Sequence, residues 1–340
     1  MIKYYSYTSI QRHWVSGVSD WLCHLYGYSR RWLWLAVFIP LLGCEAPLFL
    51  EGVAAQQKEA THRSDMFQAA AASDRVIVVV GAMGVVLTSR DGGKTWLREV
   101  LADKPFLIDV ALCPDGTFAI LDVSRKLWMG DGLPGQWQAV GIDTQEALQA
   151  MTCDAEGTFW VVGGFSTILS SKDRGVSWRT TSLDEDLHFT GIQILDGQHA
   201  FVSGEFGALA HSQDGGESWQ PLTPLADDFY PQDALFISSQ EGWVVGLSGT
   251  ILYTRDGGGS WQRQETGTEV PLYGIALGDG VLHVVGGNGT LLRKRLEPGS
   301  DWRRIDHGKS IRFYLRAVTP LAGGKVLIGG GYGALHIIST

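Results

Sequence analysis

The chain has 340 residues, enough for two average domains or one large repeat fold, and pairs 44 glycines and 13 tryptophans with a charged fraction of only 19%. That balance excludes a disordered chain, which is poorer in aromatics and richer in charge, and suits short strands joined by tight turns. The formal net charge is −9; residues 1–43 hold Lys3, Arg12, Arg30 and Arg31 against Asp20, so the remainder carries −12. So acidic a body offers a phosphate backbone nothing to bind and excludes nucleic acid as a partner.

The first element is a targeting segment. Arg30 and Arg31 precede the apolar run "WLWLAVFIPLLG" (32–43), the layout of an export signal. The run ends in "LLGC" (41–44), which resembles a bacterial lipobox and makes Cys44 the expected lipidation site, with Leu42 standing where a small residue is usual. An uncleaved anchor over 32–50 and cleavage after "VAA" (53–55) are the alternatives. Each places the body outside the cytoplasm, on the periplasmic side of a bacterial membrane. The expected division is an export signal over 1–44, a linker over 45–65 and a folded body over 66–340.

The body repeats. Trp96, Trp137, Trp178, Trp219, Trp261 and Trp302 follow one another at intervals of 41 or 42 residues. That period, with several short strands per unit, is the signature of a β-propeller blade. Apolar first strands begin at "MFQAAAASD" (66–74) and recur as "FLIDVALC" (106–113), "ALQAMTCD" (147–154), "HFTGIQIL" (188–195), "QDALFISS" (232–239), "LYGIALG" (272–278) and "FYLRAVTPL" (313–321). A strand buried on both faces reads as such a run. Second and third strands follow each, and a fourth begins at each periodic Trp. The tally is seven first, seven second and seven third strands but six fourth strands. The reading is all-β: a seven-bladed β-propeller of four-stranded antiparallel blades about 41 residues long, with residues 50–64 expected to supply the missing outer strand and close the ring. Cys113 and Cys153 end equivalent strands in neighbouring repeats. Export permits a disulfide between them, but two small buried apolar side chains is the favoured reading.

Between third and fourth strands stands "SRDGGKTW" (89–96), which returns as "SKDRGVSW" (171–178), "SQDGGESW" (212–219) and "TRDGGGSW" (254–261). The pattern resembles the Asp-box of sialidase-type and related propellers. Asp91, Asp173, Asp214 and Asp256 are expected to bond backbone N–H groups across the turn, and Trp96, Trp178, Trp219 and Trp261 to pack between sheets. Copies distributed around a ring cannot converge on one substrate, so the motif is read as scaffold. "GDGLPGQW" (130–137) and "RLEPGSDW" (295–302) are degenerate copies.

The paired patterns "GWVVGLSGTILYTRDGGGSW" (242–261) and "FWVVGGFSTILSSKDRGVSW" (159–178), with "YLRAVTPLAGGKVLIGGGYGAL" (314–335), carry a further resemblance. From about residue 66 to Thr340 the body is similar to the photosystem II stability and assembly factor family. That resemblance implies an exported, often lipid-anchored, non-enzymatic factor that holds a membrane protein or membrane protein complex during assembly, with no cofactor. In an organism without photosystem II the client would be another membrane protein, such as a transporter.

Propellers bind on the face formed by loops leading into first strands and turns between second and third strands. The turns present Met83, Ser124, Phe165, Phe206, Ser248, Asn288 and Tyr332; the loops add Phe106, His188, Phe229, Tyr230, Arg312 and Arg316. Phe165, Phe206, Tyr332, Tyr230, His188, Arg312 and Arg316 are the expected partner-binding residues, because aromatics and Arg give large contact area at low entropy cost. Packing of these rings between blades is the competing reading. The alternative function is a sialidase-related glycoside hydrolase or glycan-binding propeller. It lacks an arginine trio, and its candidate carboxylates, Asp109 and Asp233 on first strands, read first as solvated channel-lining groups. The nine His are scattered without metal-ligand spacing, so no metal site is expected.

Overall fold

In the computed structural model, Gly52, residues 58–225 and residues 229–339 are described. The proposed signal and Cys44 lie outside these residues.

The body is a ring of seven antiparallel sheets, six of four strands and one of three among the described residues. Blade 1 runs through strands Phe67–Ala72, Ile77–Gly81, Val85–Ser89 and Leu97–Val100. The first strands of blades 2 to 7 are Leu107–Leu112, Leu148–Cys153, Phe189–Ile194, Pro231–Phe236, Leu272–Gly278 and Leu315–Leu321. Blade 7 adds Lys325–Gly330 and Leu335–Ser339. The strand tally read from the sequence holds, and every fourth strand starts immediately after its periodic tryptophan.

The ring is held by seven apolar clusters, one between each adjacent pair of blades. Val78, Val80 and Phe118 belong to the cluster between blades 1 and 2; Phe67, Val79, Leu87 and Leu327 join blade 7 to blade 1. Second strands such as "IVVVG" (77–81) and "FWVVG" (159–163) are buried along their whole length because they face a neighbouring blade on both sides. The periodic tryptophans pack into these clusters, with Trp219 standing edge-on to Trp160 of the preceding blade at 6.4 Å.

Of residues 50–64, expected to close the ring with an added strand, 50, 51 and 53–57 lie outside the described residues. Residues 58–64 form turns and bends, not strand. Asp65 instead receives a two-pronged hydrogen bond from the Arg98 guanidinium, at 2.8 Å on each oxygen, and its carbonyl accepts Gly333 N–H at 2.9 Å. Met66 bridges Gly331. A single loop thus ties the outer strand of blade 1 to the last hairpin of blade 7.

Cys113 and Cys153 are bonded to each other, with Cα atoms 5.2 Å apart. This corrects the reading of two unpaired apolar cysteines. Both residues lie at the ends of neighbouring first strands, where the ring brings equivalent positions within bridging distance.

Candidate functional site

Two features face the same end of the ring: a collar of turns and the mouth of the central channel.

The collar is built by the turns between second and third strands. Met83–Gly84 occupy the centre of a four-residue turn closed by Val85 N–H to Ala82 carbonyl. Both residues take positive φ, 59° and 70°, which is a type I′ hairpin. Phe165–Ser166, Phe206–Gly207, Ser248–Gly249, Asn288–Gly289 and Tyr332–Gly333 repeat it, with φ between 48° and 74°. Blade 2 departs: Asp122 replaces the glycine that opens the turn elsewhere, and its carboxylate accepts the Ser124 and Lys126 N–H groups and the Trp128 indole. Glycine holds the second turn position in five of these six turns, and Ser166 holds it in the sixth. A Cβ on Gly207 would press on the Leu225 backbone, which donates its N–H to the Gly207 carbonyl.

The first turn position prefers Asn, and Asn288 supplies it. At the same position stand Met83, Phe165, Phe206 and Tyr332. Left-handed backbone costs a residue with a Cβ about 1 kcal/mol. No burial offsets that cost, since the four side chains are 61, 56, 73 and 50% exposed. Large apolar side chains in strained, solvent-facing positions cluster where ligands are held.

Phe165, Phe206 and Tyr332 therefore stand together on the collar. The competing reading, burial between blades, does not describe them. Tyr332 stacks on the half-exposed Phe313 at 4.5 Å, and the Arg63 guanidinium lies 5.8 Å from its ring centre. Arg312 is exposed beside Phe313. Tyr230 and His188 converge on Glu205, which precedes Phe206. The Tyr230 hydroxyl donates to one Glu205 oxygen at 2.7 Å and the His188 backbone N–H to the other at 3.2 Å. Burial, reinforced by the Glu205 carboxylate, pushes the Tyr230 hydroxyl up to about 12. Sequence reasoning passed over Glu205 and Phe313. The signal for Glu205 was "GEFG" (204–207), where the turn carries a charge beside its aromatic.

Arg316 is displaced from its expected place. It lies inside the first strand of blade 7, at a β-bulge between Leu315 and Ala317, and faces the channel. Every blade has that bulge. The bulged residues are Gln68, Gln149 and Gln232 in blades 1, 3 and 5, then Ile108, Thr190 and Tyr273 in blades 2, 4 and 6. All seven line one cavity of about 180 Å³ at the ring centre. A bulge bends its strand and re-aims a side chain, here turning one residue per blade inward.

Asp109 and Asp233, one position further along, line the same cavity. Each reaches the next blade: Asp109 Oδ2 accepts Met151 N–H at 2.9 Å and Asp233 Oδ2 accepts Ile275 N–H at 2.9 Å. Their Oδ1 atoms accept Val110 and Ala234 N–H. They are therefore not simply solvated. Burial pushes both up to about 6, against the pull of those N–H donors and the Arg316 charge. Both carboxyls line the same cavity, where the Asp109 charge adds to the upward push on Asp233, and each is engaged by the backbone of the next blade.

The Asp-box carboxylates are engaged locally. Asp91 Oδ1 accepts the Ser89 hydroxyl at 2.9 Å and Thr95 N–H at 2.9 Å, and Oδ2 accepts the Thr95 hydroxyl at 2.6 Å. Asp173, Asp214 and Asp256 repeat the scheme with Ser177, Ser218 and Ser260. These bonds, the side-chain hydroxyl first, hold all four at about 2. Among the described residues, no group of three His, Cys, Asp or Glu side chains is placed to hold a metal ion.

Comparison with known proteins agrees with this architecture. The photosystem II assembly lipoprotein Ycf48 of Synechococcus sp. (strain CC9605) is 31% identical over 140 residues, 39% of this chain and 41% of that protein. The match thus spans about two-fifths of the relative's length. A solved structure of YCF48 bound to D1 peptide superposes with a TM-score of 0.69 at 15% identity, covering 83% of this chain and 94% of that one. Virginiamycin B lyase from Staphylococcus aureus, an enzyme on the same fold, reaches a TM-score of 0.70 at 12% identity, covering 84% and 97%. At such identities the superpositions speak for the fold alone. The family model described as photosynthesis system II assembly factor YCF48 matches residues 133–228 and 223–335, more than half of the chain. The chain belongs to the YCF48 family of photosystem II assembly factors.

Proposed function

We propose that this chain is an exported, membrane-tethered binding propeller, without enzymatic activity of its own, that holds a membrane protein subunit during assembly. The observation that carries the reading is the collar: Met83, Phe165, Phe206 and Tyr332 exposed on left-handed turns at one end of the ring. Rigid aromatics on hairpin tips offer contact area at low entropy cost. Phe165, Phe206 and Tyr332 are the proposed anchors, and Tyr230, His188 and Arg312 their neighbours in the interface. The four Asp-boxes are proposed as fold elements, since each carboxylate is engaged within its own turn.

Relatives support the partner class. One bears the name photosystem II assembly lipoprotein and another was solved with D1 peptide. The proposed client is accordingly a photosystem II subunit, or a different membrane protein such as a transporter where no photosystem exists. Two observations favour export. Residues 41–44 read "LLGC" after a basic-flanked apolar run, and the Cys113–Cys153 disulfide suits an oxidising compartment. Residues 1–44 are proposed as the signal, Cys44 as the lipidated residue, and 45–65 as the linker to the propeller.

The test is co-purification of the tagged full chain from gently solubilised membranes, beside a Cys44→Ser variant. The expected result is a near-stoichiometric integral membrane partner, and loss of the chain from the membrane fraction in the variant. A chain that emerges alone in both forms overturns the reading.

A further inference from the structure

Beyond partner binding on the collar, the cavity at the ring centre has the chemistry of a second site. Its wall carries three charged groups on separate blades: Arg316 on blade 7, Asp109 on blade 2 and Asp233 on blade 5. The Arg316 charge is felt at both carboxyls. Yet among the described residues its guanidinium makes no hydrogen bond or close ion pair. A guanidinium brings five N–H donors, so a half-buried one left without a close ion pair is poised for an acceptor.

The carboxyls have spare capacity of the opposite kind. Asp109 and Asp233 each accept two backbone N–H groups, while an ionised carboxylate offers about four lone-pair positions. On the same cavity wall, the side-chain amides of Gln149 and Gln232 make no hydrogen bond within the protein among the described residues. Repeated bulges turn these groups inward, a device found beside functional sites.

We infer that this cavity binds a small zwitterion of the α-amino acid class, its carboxylate on Arg316 and its ammonium group toward Asp109 and Asp233. An anion alone would satisfy Arg316 but face two carboxylates; a cation alone would meet the guanidinium. A molecule carrying both charges answers both walls, and the glutamine amides donate to or accept from its remaining polar atoms. The cavity of about 180 Å³ limits the occupant to a single small molecule.

The experiment is calorimetric titration of the purified full chain with each common L-amino acid up to 10 mM, followed by the N-acetyl and carboxamide derivatives of the tightest binder. Saturable binding is expected, weakened about tenfold or more by either derivative and by Arg316→Gln. Gln232→Leu, which removes no charge, should weaken it less than Arg316→Gln does. Phe206→Asn, on the collar, should leave it unchanged. The inference is overturned if no amino acid binds, if a derivative binds as well as its parent, or if folded Arg316→Gln binds like the original chain. None of these results bears on capture of a protein partner by the collar.

Discussion

The carboxylate of Asp109 accepts the backbone N–H of Met151 at 2.9 Å, across the boundary between blades 2 and 3. Asp233 makes the same bond to Ile275 between blades 5 and 6. Two half-buried acids thus join first strands, and their desolvation raises both to about 6 from an ordinary 3.8. Because the folded value lies above the unfolded one, the folded chain binds more protons than the unfolded chain between about pH 4 and pH 6. Stability from this source is fully present below pH 4 and lost as pH rises through 6. Stability should therefore rise as pH falls from 7 to 5, by about 1 kcal/mol for each group, and the melting temperature with it. Asp109→Asn should flatten the dependence, and melting curves recorded across that range check it.

The Asp-box carboxylates act in the opposite direction. Their folded value near 2 lies below the ordinary 3.8, so their contribution is present above about 4 and lost as pH falls through 2. Acid unfolding should begin below pH 4, and Asp214→Asn should move its midpoint upward. Circular dichroism during acid titration measures that midpoint.

The Cys113–Cys153 bridge closes a loop across neighbouring blades with a sequence separation of 40 residues. Replacing both cysteines by Ser should lower stability by about 2–4 kcal/mol. Treatment with a reductant should reproduce the shift in the original chain and leave the double variant unaffected. Equal melting temperatures with and without reductant in the original chain would contradict the bridge.

Gly216, in the third Asp-box, has φ of +84° and lies against the Trp160 ring of the preceding blade, where a Cβ would overlap the indole. Gly216→Ala combines left-handed strain with displaced packing and should cost about 2 kcal/mol or more. Gly299 also has positive φ, at 78°, but open space around it. Gly299→Ala should cost only the strain, about 1 kcal/mol. Denaturant unfolding of the two variants separates packing from backbone.

Much of this fold is visible in the primary structure because a repeat states its rule many times. Six tryptophans at a period near 41 residues mark the start of six outer strands, and apolar runs such as 106–113 and 272–278 mark the inner ones. Closure of the ring was not visible, because it rests on the Arg98–Asp65 pair and the Met66–Gly331 bridge, contacts between distant positions without periodicity. The site was legible in part. Phe165, Phe206 and Tyr332 follow from glycine-flanked turns. Arg316 read as a loop residue because a one-residue bulge, which alone decides whether it faces the loop or the channel, leaves no mark in composition. Phe313 became part of the collar only through its stacking on Tyr332.

The turn geometry yields the measurement closest to the central claim. Asn is the residue the left-handed position prefers, as at Asn288. The triple variant Phe165→Asn, Phe206→Asn, Tyr332→Asn should therefore keep or raise the melting temperature while removing the exposed rings. Tagged original and triple-variant chains would be recovered from gently solubilised membranes and their co-eluting proteins quantified. The account predicts a near-stoichiometric membrane protein with the original chain, reduced about tenfold or more with a variant at least as stable, as loss of aromatic hot spots entails. Equal recovery of that partner by both chains would contradict the collar as the binding surface.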